Sequence, residues 1–287
     1  MKRDSSDPLP QVSIVIPTRN CRSELARLLD SIARQTFRDV ETIVVDNFSS
    51  DGTFEEAAAR ATAFQIGPER HAQRTAGAAR ARGEYLMFFD ADMELDATLI
   101  EECVALGRQG FDAVILPERG GGTGYWASCQ KLEKECYWED PWMEAANRFL
   151  RAEVYRKVGG YRADLIAGED FELHDRLVAA GARIGRSRAM ITHYEDARFW
   201  RVVRKKFYYG TCARRVLREA PKNNFMRFVF LKPAYFRNWR KLIRHPLLAL
   251  GLATMKGVQF LAGGAGLALA TIRAGASRAA PPRPTGR

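Results

Sequence analysis

Three short apolar runs near the N-terminus have the pattern of buried β-strands. They cover residues 12–16, 42–45 and 85–89; Pro17 closes the first, and an aspartate follows each of the other two. Runs of β-branched and aromatic residues at this length are typical of strands that are covered on both faces. The sequence therefore predicts three buried strands with polar or rigid residues at their ends.

Amphipathic helical patterns fill the intervals between these strands. Over residues 23–35 the apolar positions repeat every three or four residues, and a second helix is predicted over residues 53–64 after an Asp-Gly turn. Alternating strands and helices predict a parallel α/β sheet. Such sheets bind ligands at the carboxyl ends of their strands, where Asp46, Asp90 and Asp92 fall.

The pattern continues up to about residue 194. One more strand, a glycine-rich loop and two helices are predicted over residues 113–116, 120–124, 125–138 and 171–180. The loop matches no phosphate-binding fingerprint, so a mobile lid and an inert linker both remain open. We expect the sheet domain to comprise residues 1–197.

The composition changes from residue 198 onward. Residues 198–244 hold 15 Lys or Arg against one acidic residue, a net charge of +14, with aromatic residues interleaved. The whole chain carries +11, so the remainder is close to neutral at −3. Basic groups beside aromatic rings suit an anionic membrane surface. A nucleic-acid-binding module is the alternative, because the same charges would neutralise phosphates while the rings stack on bases.

An apolar stretch with five glycines follows over residues 246–270, interrupted by Lys256 and Gln259. We expect two short helices that lie in the membrane interface or dip into it; a single membrane span and a soluble helix pair are the alternatives. The membrane-associating segment is predicted over residues 198–275. The proline-containing tail, residues 276–287, is predicted to be disordered.

The overall composition, with 287 residues of which 46% are hydrophobic and 28% charged, excludes disordered and fibrous classes. The five cysteines show no zinc-ligand spacing, and we expect reduced thiols in a cytosolic chain. The N-terminus lacks the apolar core of a signal peptide, so we expect the mature protein and the translation product to be the same.

Two carboxylates separated by one residue follow the third strand, in Phe89-Asp90-Ala91-Asp92. Alternate side chains of an extended chain point the same way, so the pair can face one site. Two hard oxygen ligands can hold Mg²⁺ or Mn²⁺ while leaving coordination positions for diphosphate oxygens. Taken alone, the motif is a weak signal, because Asp-x-Asp often merely caps a helix.

Five sequence blocks in this order resemble family 2 glycosyltransferases of the GT-A fold. They are residues 12–20, 44–53, 67–74, 83–92 and 168–173, so the resemblance covers roughly residues 10–195. It implies an α/β fold with a mostly parallel central sheet flanked by helices. The basic and apolar C-terminal part resembles the membrane-associated end of bacterial members, which implies a helical membrane-associating extension.

For the nucleotide of the donor, the resemblance implies a pocket at the strand ends. Its residues would be Pro17, Thr18, Arg19, Asp46, Arg74, Arg80 and Asp90. Asp46 would accept a hydrogen bond from the base, and the two later arginines would line the diphosphate pocket. From the residues alone, a turn cap for Asp46 and solvated arginines stay open.

For the cofactor, the resemblance implies Mg²⁺ or Mn²⁺. Asp92 would be the main ligand, Asp90 would approach the ribose or the metal, and His193 would be a further ligand or a diphosphate contact. A structural histidine is the alternative reading of His193.

For catalysis, Asp170 resembles the general base of the family. A base is needed because the acceptor hydroxyl must lose its proton as it attacks the anomeric carbon opposite the leaving diphosphate. Glu169 would tune this base or hold the acceptor, although both acids also fit a helix cap. Phe171 stands where many relatives carry Trp, so the acceptor contact there is unassigned.

These implications favour an inverting glycosyltransferase that moves a sugar from a nucleotide diphosphate donor to a hydroxyl of a lipid-linked or membrane-proximal glycan. We expect it at the cytoplasmic face of the cell membrane, attached peripherally or by a re-entrant segment, with no nucleic-acid partner. A polyprenyl-phosphate sugar synthase is the close alternative, but its phosphate acceptor is already ionised and needs no base. A sugar nucleotidyltransferase should show a Gly-rich first loop, but the loop here reads Pro-Thr-Arg-Asn. A processive synthase should show a Gln-x-x-Arg-Trp motif, and the sequence has none.

Overall fold

The computed structural model of this chain describes residues 9–68, 70–138, 147–162, 168–194, 198–219 and 233–279. Its contacts divide the chain into two units. We call them the sheet unit, Met1–Thr123 with Lys134–Glu195, and the helical unit, Gly124–Glu133 with Asp196–Arg287. The domain borders predicted after residues 197 and 275 stay predictions. Helix reaches Ala279, and residues 280–287 of the predicted disordered tail lie outside the described residues.

The strands of the sheet unit are β1 Val12–Thr18, β2 Val40–Asp46, β3 Thr62–Gln65, β4 Tyr85–Phe88, β5 Met93–Leu95, β6 Ala113–Ile115, β7 Glu118–Gly120, β8 Asn147–Arg151, β9 Ile184–Arg186 and β10 Ile191–His193. Its helices are α1 Arg22–Ala33, α2 Thr53–Arg60, α3 Arg70–Arg80, α4 Leu99–Arg108, α6 Ala152–Lys157 and α7 Glu169–Ala179. Helix α5, Tyr125–Tyr137, begins in the helical unit and ends in the sheet unit.

The main sheet has seven strands in the order β3-β2-β1-β4-β8-β6-β9. β8 runs antiparallel to both of its neighbours, and the other pairs are parallel. The mostly parallel sheet that the family resemblance implies is therefore confirmed, with β8 as its antiparallel strand. A second sheet, in the order β5-β10-β7, holds three short strands.

The core lies on both faces of the main sheet. On one face, Ile14 and Ile16 pack with α1 and α4; on the other face, Val15 packs with α3 and α7. Every residue of β1 is buried, which explains why the strand is a nearly continuous apolar run. The three strands predicted near the N-terminus are confirmed, as are the helices that begin near residues 23 and 53.

The predicted second helix is too long. It ends at Arg60, and Thr62–Gln65 forms β3, which pairs with β2 at the edge of the sheet. Thr62 and Phe64 suit a strand as well as a helix, and pairing with a strand distant in sequence decides between the two.

The helical unit contains α8 Phe199–Glu219, α9 Pro233–Arg237, α10 Trp239–Arg244 and α11 Pro246–Ala279. The prediction of two short helices over residues 246–270 is wrong, because α11 is continuous. Its residues Pro246–Ile272 are long and apolar enough to cross a membrane, judged by length and composition.

The glycines and polar residues that suggested a break serve packing instead. A Cβ atom at Gly210 of α8 would collide with the carbonyl oxygen of Gly263, and one at Gly266 would collide with that of Phe207. Small residues let two helix backbones approach this closely, as in membrane helix pairs. Lys256 is bound to Glu133 of α5 at 2.6 Å, so this charge is compensated inside the unit.

Candidate active site

A buried arginine joins the two acidic motifs that the sequence singled out. Arg74, on α3, is 0% exposed and donates to Asp90 Oδ1 at 2.8 Å through Nη2. Its Nη1 lies 3.3 Å from Glu169 Oε1 and 3.3 Å from Asp170 Oδ1. The structure therefore brings together three predicted site carboxylates around one predicted site arginine.

Two further arginines surround the same carboxylates. Arg70 Nη2 donates to Glu169 Oε1 at 2.8 Å and its Nη1 lies 3.7 Å from Asp90, while Arg148 Nη1 lies 3.7 Å from the other Asp90 oxygen. Burial raises the pKa of Asp90, but Arg74, Arg70 and Arg148 outweigh it and hold that pKa well below its usual range. Asp90 is therefore ionised, and its charge is already compensated by cations.

Asp170 has a second hydrogen-bond donor in the sheet unit. Tyr161 Oη donates to Asp170 Oδ1 at 3.1 Å, and the Arg74 guanidinium lies over the Tyr161 ring at 5.1 Å. Burial and the charge of Asp170 raise the pKa of Tyr161 well above its ordinary value, so the hydroxyl keeps its proton. Because α7 begins at Glu169, both acids lie at the positive end of that helix.

The three-stranded sheet places a histidine between two other carboxylates. Asp92 directly precedes β5, His193 ends β10 and Glu118 begins β7. His193 Nε2 lies 3.2 Å from Asp92 Oδ1, and Nδ1 lies 2.9 Å from Glu118 Oε2. Burial lowers the pKa of His193, but Glu118 and Asp92 raise it to about 10. The predicted partners Asp92 and His193 are therefore adjacent, while Asp90 is held by arginines.

Glu118 is the centre of this second cluster. Its Oε1 accepts from Arg148 Nη2 at 2.8 Å, and its Oε2 accepts from Lys134 Nζ at 2.8 Å. Burial raises the pKa of Glu118, but Lys134 and Arg148 hold it well below its usual range. Because Arg148 also approaches Asp90, it links this cluster to the first.

The donor chemistry of Asp92 and His193 suits Mg²⁺ or Mn²⁺. The Asp92 side chain is 37% exposed and offers carboxylate oxygens, and His193 offers a ring nitrogen once it has released its proton to become a ligand. In the part of the chain that the structure describes, no three His, Cys, Asp or Glu groups converge on a metal position. The two residues fit an ion that completes its coordination shell with water and diphosphate oxygens.

At the end of β2, Asp46 is fully buried. It accepts hydrogen bonds from Thr18 Oγ1 at 2.9 Å, from Gln65 Nε2 at 3.1 Å and from the backbone and hydroxyl of Ser49 at 2.8 and 2.5 Å. Thr18 and Asp46 are thus brought together as predicted, and the predicted contact of Asp46 with a base stays a prediction.

Of the remaining predicted nucleotide residues, two flank Thr18 and one lies on α3. Pro17 is a buried residue of β1 and Arg19 is exposed directly after that strand. Arg80 lies at the far end of α3, where its guanidinium covers the Phe64 ring at 3.6 Å. The structure therefore does not bring Arg80 to the carboxylates that surround Arg74.

Sequence analysis missed five residues of these clusters, namely Arg70, Glu118, Lys134, Arg148 and Tyr161. The spacing of Arg70 and Arg74, one helical turn apart, is the signal that indicates a shared face of α3. The other four residues come from segments that are distant in the sequence and meet only in the folded chain. No local sequence pattern therefore indicates them.

Comparison with known proteins shows the family to which the chain belongs. The family model described as Glycosyl transferase family 2 matches residues 13–164. Glycosyltransferase AglE of Haloferax volcanii is 28% identical over 220 residues, covering 70% of this chain and 72% of that protein. The GalNAc(5)-diNAcBac-PP-undecaprenol beta-1,3-glucosyltransferase of Campylobacter jejuni is 29% identical over 141 residues, covering 44% of this chain and 45% of that protein.

Solved structures share the fold. Mannosyltransferase PcManGT from Pyrobaculum calidifontis, in complex with GDP-Man and Mn²⁺, superposes with a TM-score of 0.57 at 17% identity over 95% of this chain and 81% of that one. S. aureus TarS gives a TM-score of 0.53 at 15% identity over 88% of this chain and 54% of that one.

Proposed function

The chain belongs to glycosyl transferase family 2 and is a glycosyltransferase with a GT-A fold, and from this premise we propose an inverting enzyme with a nucleotide diphosphate sugar as its donor. The acceptor would be a hydroxyl of a lipid-linked or membrane-proximal glycan. One observation carries the proposal: Arg74 contacts Asp90 on one side and the Glu169-Asp170 pair on the other. Donor and acceptor groups would therefore meet at one place.

Asp170 would take the proton of the acceptor hydroxyl. Its carboxylate is oriented by Tyr161 and by Arg74, two donors that fix the direction of its remaining lone pairs. Attack on the anomeric carbon from this side, opposite the leaving diphosphate, inverts the configuration. Glu169, bound to both arginines of α3, would hold the pair in place.

The arginines would serve the diphosphate. Guanidinium groups bind phosphate oxygens with paired, charge-assisted hydrogen bonds. Arg70 and Arg74 form ion pairs with Glu169, Asp170 and Asp90. A diphosphate that engaged these guanidiniums would compete with the carboxylates, and a less tightly paired Asp170 is a better base. Donor binding would thus prepare the base for the acceptor.

Asp92 and His193 would hold a divalent cation. Such a cation, when bound, neutralises charge that develops on the leaving diphosphate. Mn²⁺ accompanies GDP-Man in the PcManGT structure, which supports this assignment through the shared fold. Asp90 would approach the ribose or the cation from its position beside Arg74.

Asp92→Asn is expected to remove most turnover and to weaken Mn²⁺ binding, because it deletes a charged ligand without changing the shape of the side chain. Turnover and Mn²⁺ affinity by calorimetry on the purified chain test this. Glu94→Gln is the matched control, since Glu94 lies on β5 but contacts Arg34 at 3.1 Å and Tyr194 at 2.8 Å. Full turnover of the Asp92 variant, or of the wild type in excess chelator, refutes the assignment.

The experiment that tests the proposed activity is a donor panel. The purified chain is incubated with UDP-, GDP-, dTDP- and CDP-linked sugars and with a membrane lipid extract as acceptor source. We expect release of nucleoside diphosphate with one class of donor, and a product whose anomeric configuration is opposite to that of the donor. Retention of configuration would contradict the inverting mechanism, and no release with any donor would contradict the choice of donor class.

We also propose that the helical unit attaches the protein to an anionic membrane, at its cytoplasmic face. Large apolar side chains are exposed on several of its helices, among them Trp200, Phe236, Trp239, Leu250 and Leu261. Trp239 and Ile243 of α10 alternate with Arg240, Lys241 and Arg244. Rings at the level of the headgroups beside cations at the phosphates are the arrangement expected for interfacial helices.

Sedimentation with phosphatidylglycerol vesicles tests this attachment. The double variant Arg240→Gln with Lys241→Gln should bind roughly 30-fold more weakly at low salt, because each basic residue near an anionic surface contributes about 1 kcal/mol. Arg34→Gln with Arg108→Gln is the control, since both arginines are exposed on the sheet unit.

The same assay separates the alternatives. High salt should release the protein from these vesicles, and added RNA should not compete. Recovery of the wild type in the supernatant at low salt refutes membrane attachment. Release by detergent alone shows that α11 spans the bilayer.

A further inference from the structure

Phe48 stands in a conformation that disfavours a bulky residue. Its φ is +46°, in the left-handed region, and its side chain is 67% exposed. A side chain with a Cβ atom meets steric strain in this region, and an exposed ring gains nothing from burial. The backbone strain therefore costs stability that the mostly exposed ring offsets little by burial, and such outliers are concentrated at ligand-binding sites.

The neighbouring contacts hold the strained backbone in place. Asp46 accepts hydrogen bonds from the backbone and the hydroxyl of Ser49, and Ser49 Oγ accepts from the backbone N–H of Asn20 at 2.8 Å. Asn20 Oδ1 in turn accepts from the backbone N–H of Ser50 at 2.9 Å. The loops after β1 and β2 thus bind each other on the C-terminal side of Phe48, which keeps its ring directed away from the core.

The position of Phe48 is that of a ligand-binding loop. It lies two residues beyond the carboxyl end of β2, next to β1, where open α/β sheets bind nucleotides. Asp46, for which the family resemblance implies a contact with the base, is buried at the foot of the same loop. An exposed aromatic ring and a buried carboxylate therefore occur within three residues of each other.

We propose that Phe48 is the stacking platform for the nucleobase of the donor. The inference rests on the proposed nucleotide donor and adds a residue and a role to it. Every base has a π-face, so an aromatic ring supplies affinity for any base without selecting one. Selection among the bases is left to hydrogen bonds, and the arginines of α3 would bind the diphosphate.

The test separates stability from affinity through Phe48→Gly. Glycine removes both the ring and the strain, so thermal stability should equal or exceed that of the wild type. Affinity for the preferred member of UDP, GDP, dTDP and CDP, measured by calorimetry, should fall about 5- to 100-fold. Phe48→Trp keeps an aromatic face and should retain most of the affinity.

Pyrophosphate, which lacks a base, provides the matched probe. Its affinity, measured by competition with the preferred nucleotide, should be the same in the wild type and in Phe48→Gly. Unchanged nucleotide affinity in Phe48→Gly, or an equal loss for pyrophosphate, overturns the stacking role while the donor class stands. A wild type that binds none of the four nucleotides refutes the nucleotide donor itself.

Discussion

Asp170→Asn should lower turnover by about 10²- to 10⁴-fold while donor affinity stays close to that of the wild type. Asparagine keeps the size of the side chain and can still accept from Tyr161 Oη, but it cannot take a proton from the acceptor hydroxyl. The Arg74 and Arg70 guanidiniums proposed to bind the diphosphate remain in place. The variant therefore separates proton transfer from donor binding.

Turnover and calorimetric donor affinity are measured side by side on the full chain. Glu172→Gln is the matched control, because it lies on the same helix α7 but pairs with Arg176 at 2.7 Å. We expect near-normal turnover from that control. Loss of donor affinity with unchanged turnover in the Asp170 variant would show that its role is binding rather than catalysis.

Arg74→Met should lower the free energy of unfolding by about 3–5 kcal/mol, the typical cost of breaking a buried charge pair by removing one partner. Methionine fills part of the volume but leaves Asp90, Glu169 and Asp170 without their shared guanidinium. In the described part of the chain the buried Nε of Arg74 has no hydrogen-bond partner, so its ion pairs must also offset that desolvation. Its strong contacts with carboxylates are what make its burial tolerable.

The effect of Arg74→Met should depend on pH with a defined sign. The pKa of Asp90 is held below its ordinary value, so its contribution to stability is present above about pH 4 and is lost as the pH falls towards the folded-state pKa. The variant lacks the share of that contribution that Arg74 supplies, while Arg70 and Arg148 remain beside Asp90. The stability difference between the variant and the wild type should therefore shrink on acidification below about pH 4.

Urea unfolding across this pH range measures the difference. Arg80→Met is the control on the same helix, since Arg80 is exposed and stacks on Phe64. We expect that control to change stability by less than about 1 kcal/mol at any pH. A pH-independent loss in Arg74→Met would show that lost packing, rather than the ion pair with Asp90, accounts for the cost.

Much of the sheet unit could be predicted from the sequence by itself. β1, β2 and β4 are apolar runs that no helix pattern explains, and α1 has its apolar positions on one face. The same local patterns place Asp90, Asp92, Glu169 and Asp170 at strand or helix ends. These features depend on residues that are close in sequence, so the order of side chains is enough to determine them.

The tertiary structure decided the rest, because the deciding contacts join distant residues. Residues 62–65 form strand β3 because they pair with β2. Helix α11 runs on through its glycines, and at Gly263 and Gly266 the small residues let the backbone of α8 approach closely. Arg148 reaches Asp90 only after β8 has paired with β4, and Glu118 reaches His193 only after β7 has paired with β10. The strain at Phe48 is likewise held by hydrogen bonds between two loops. Such contacts form between residues that are far apart in the sequence. The local pattern of polar and apolar positions does not say which distant segments will meet.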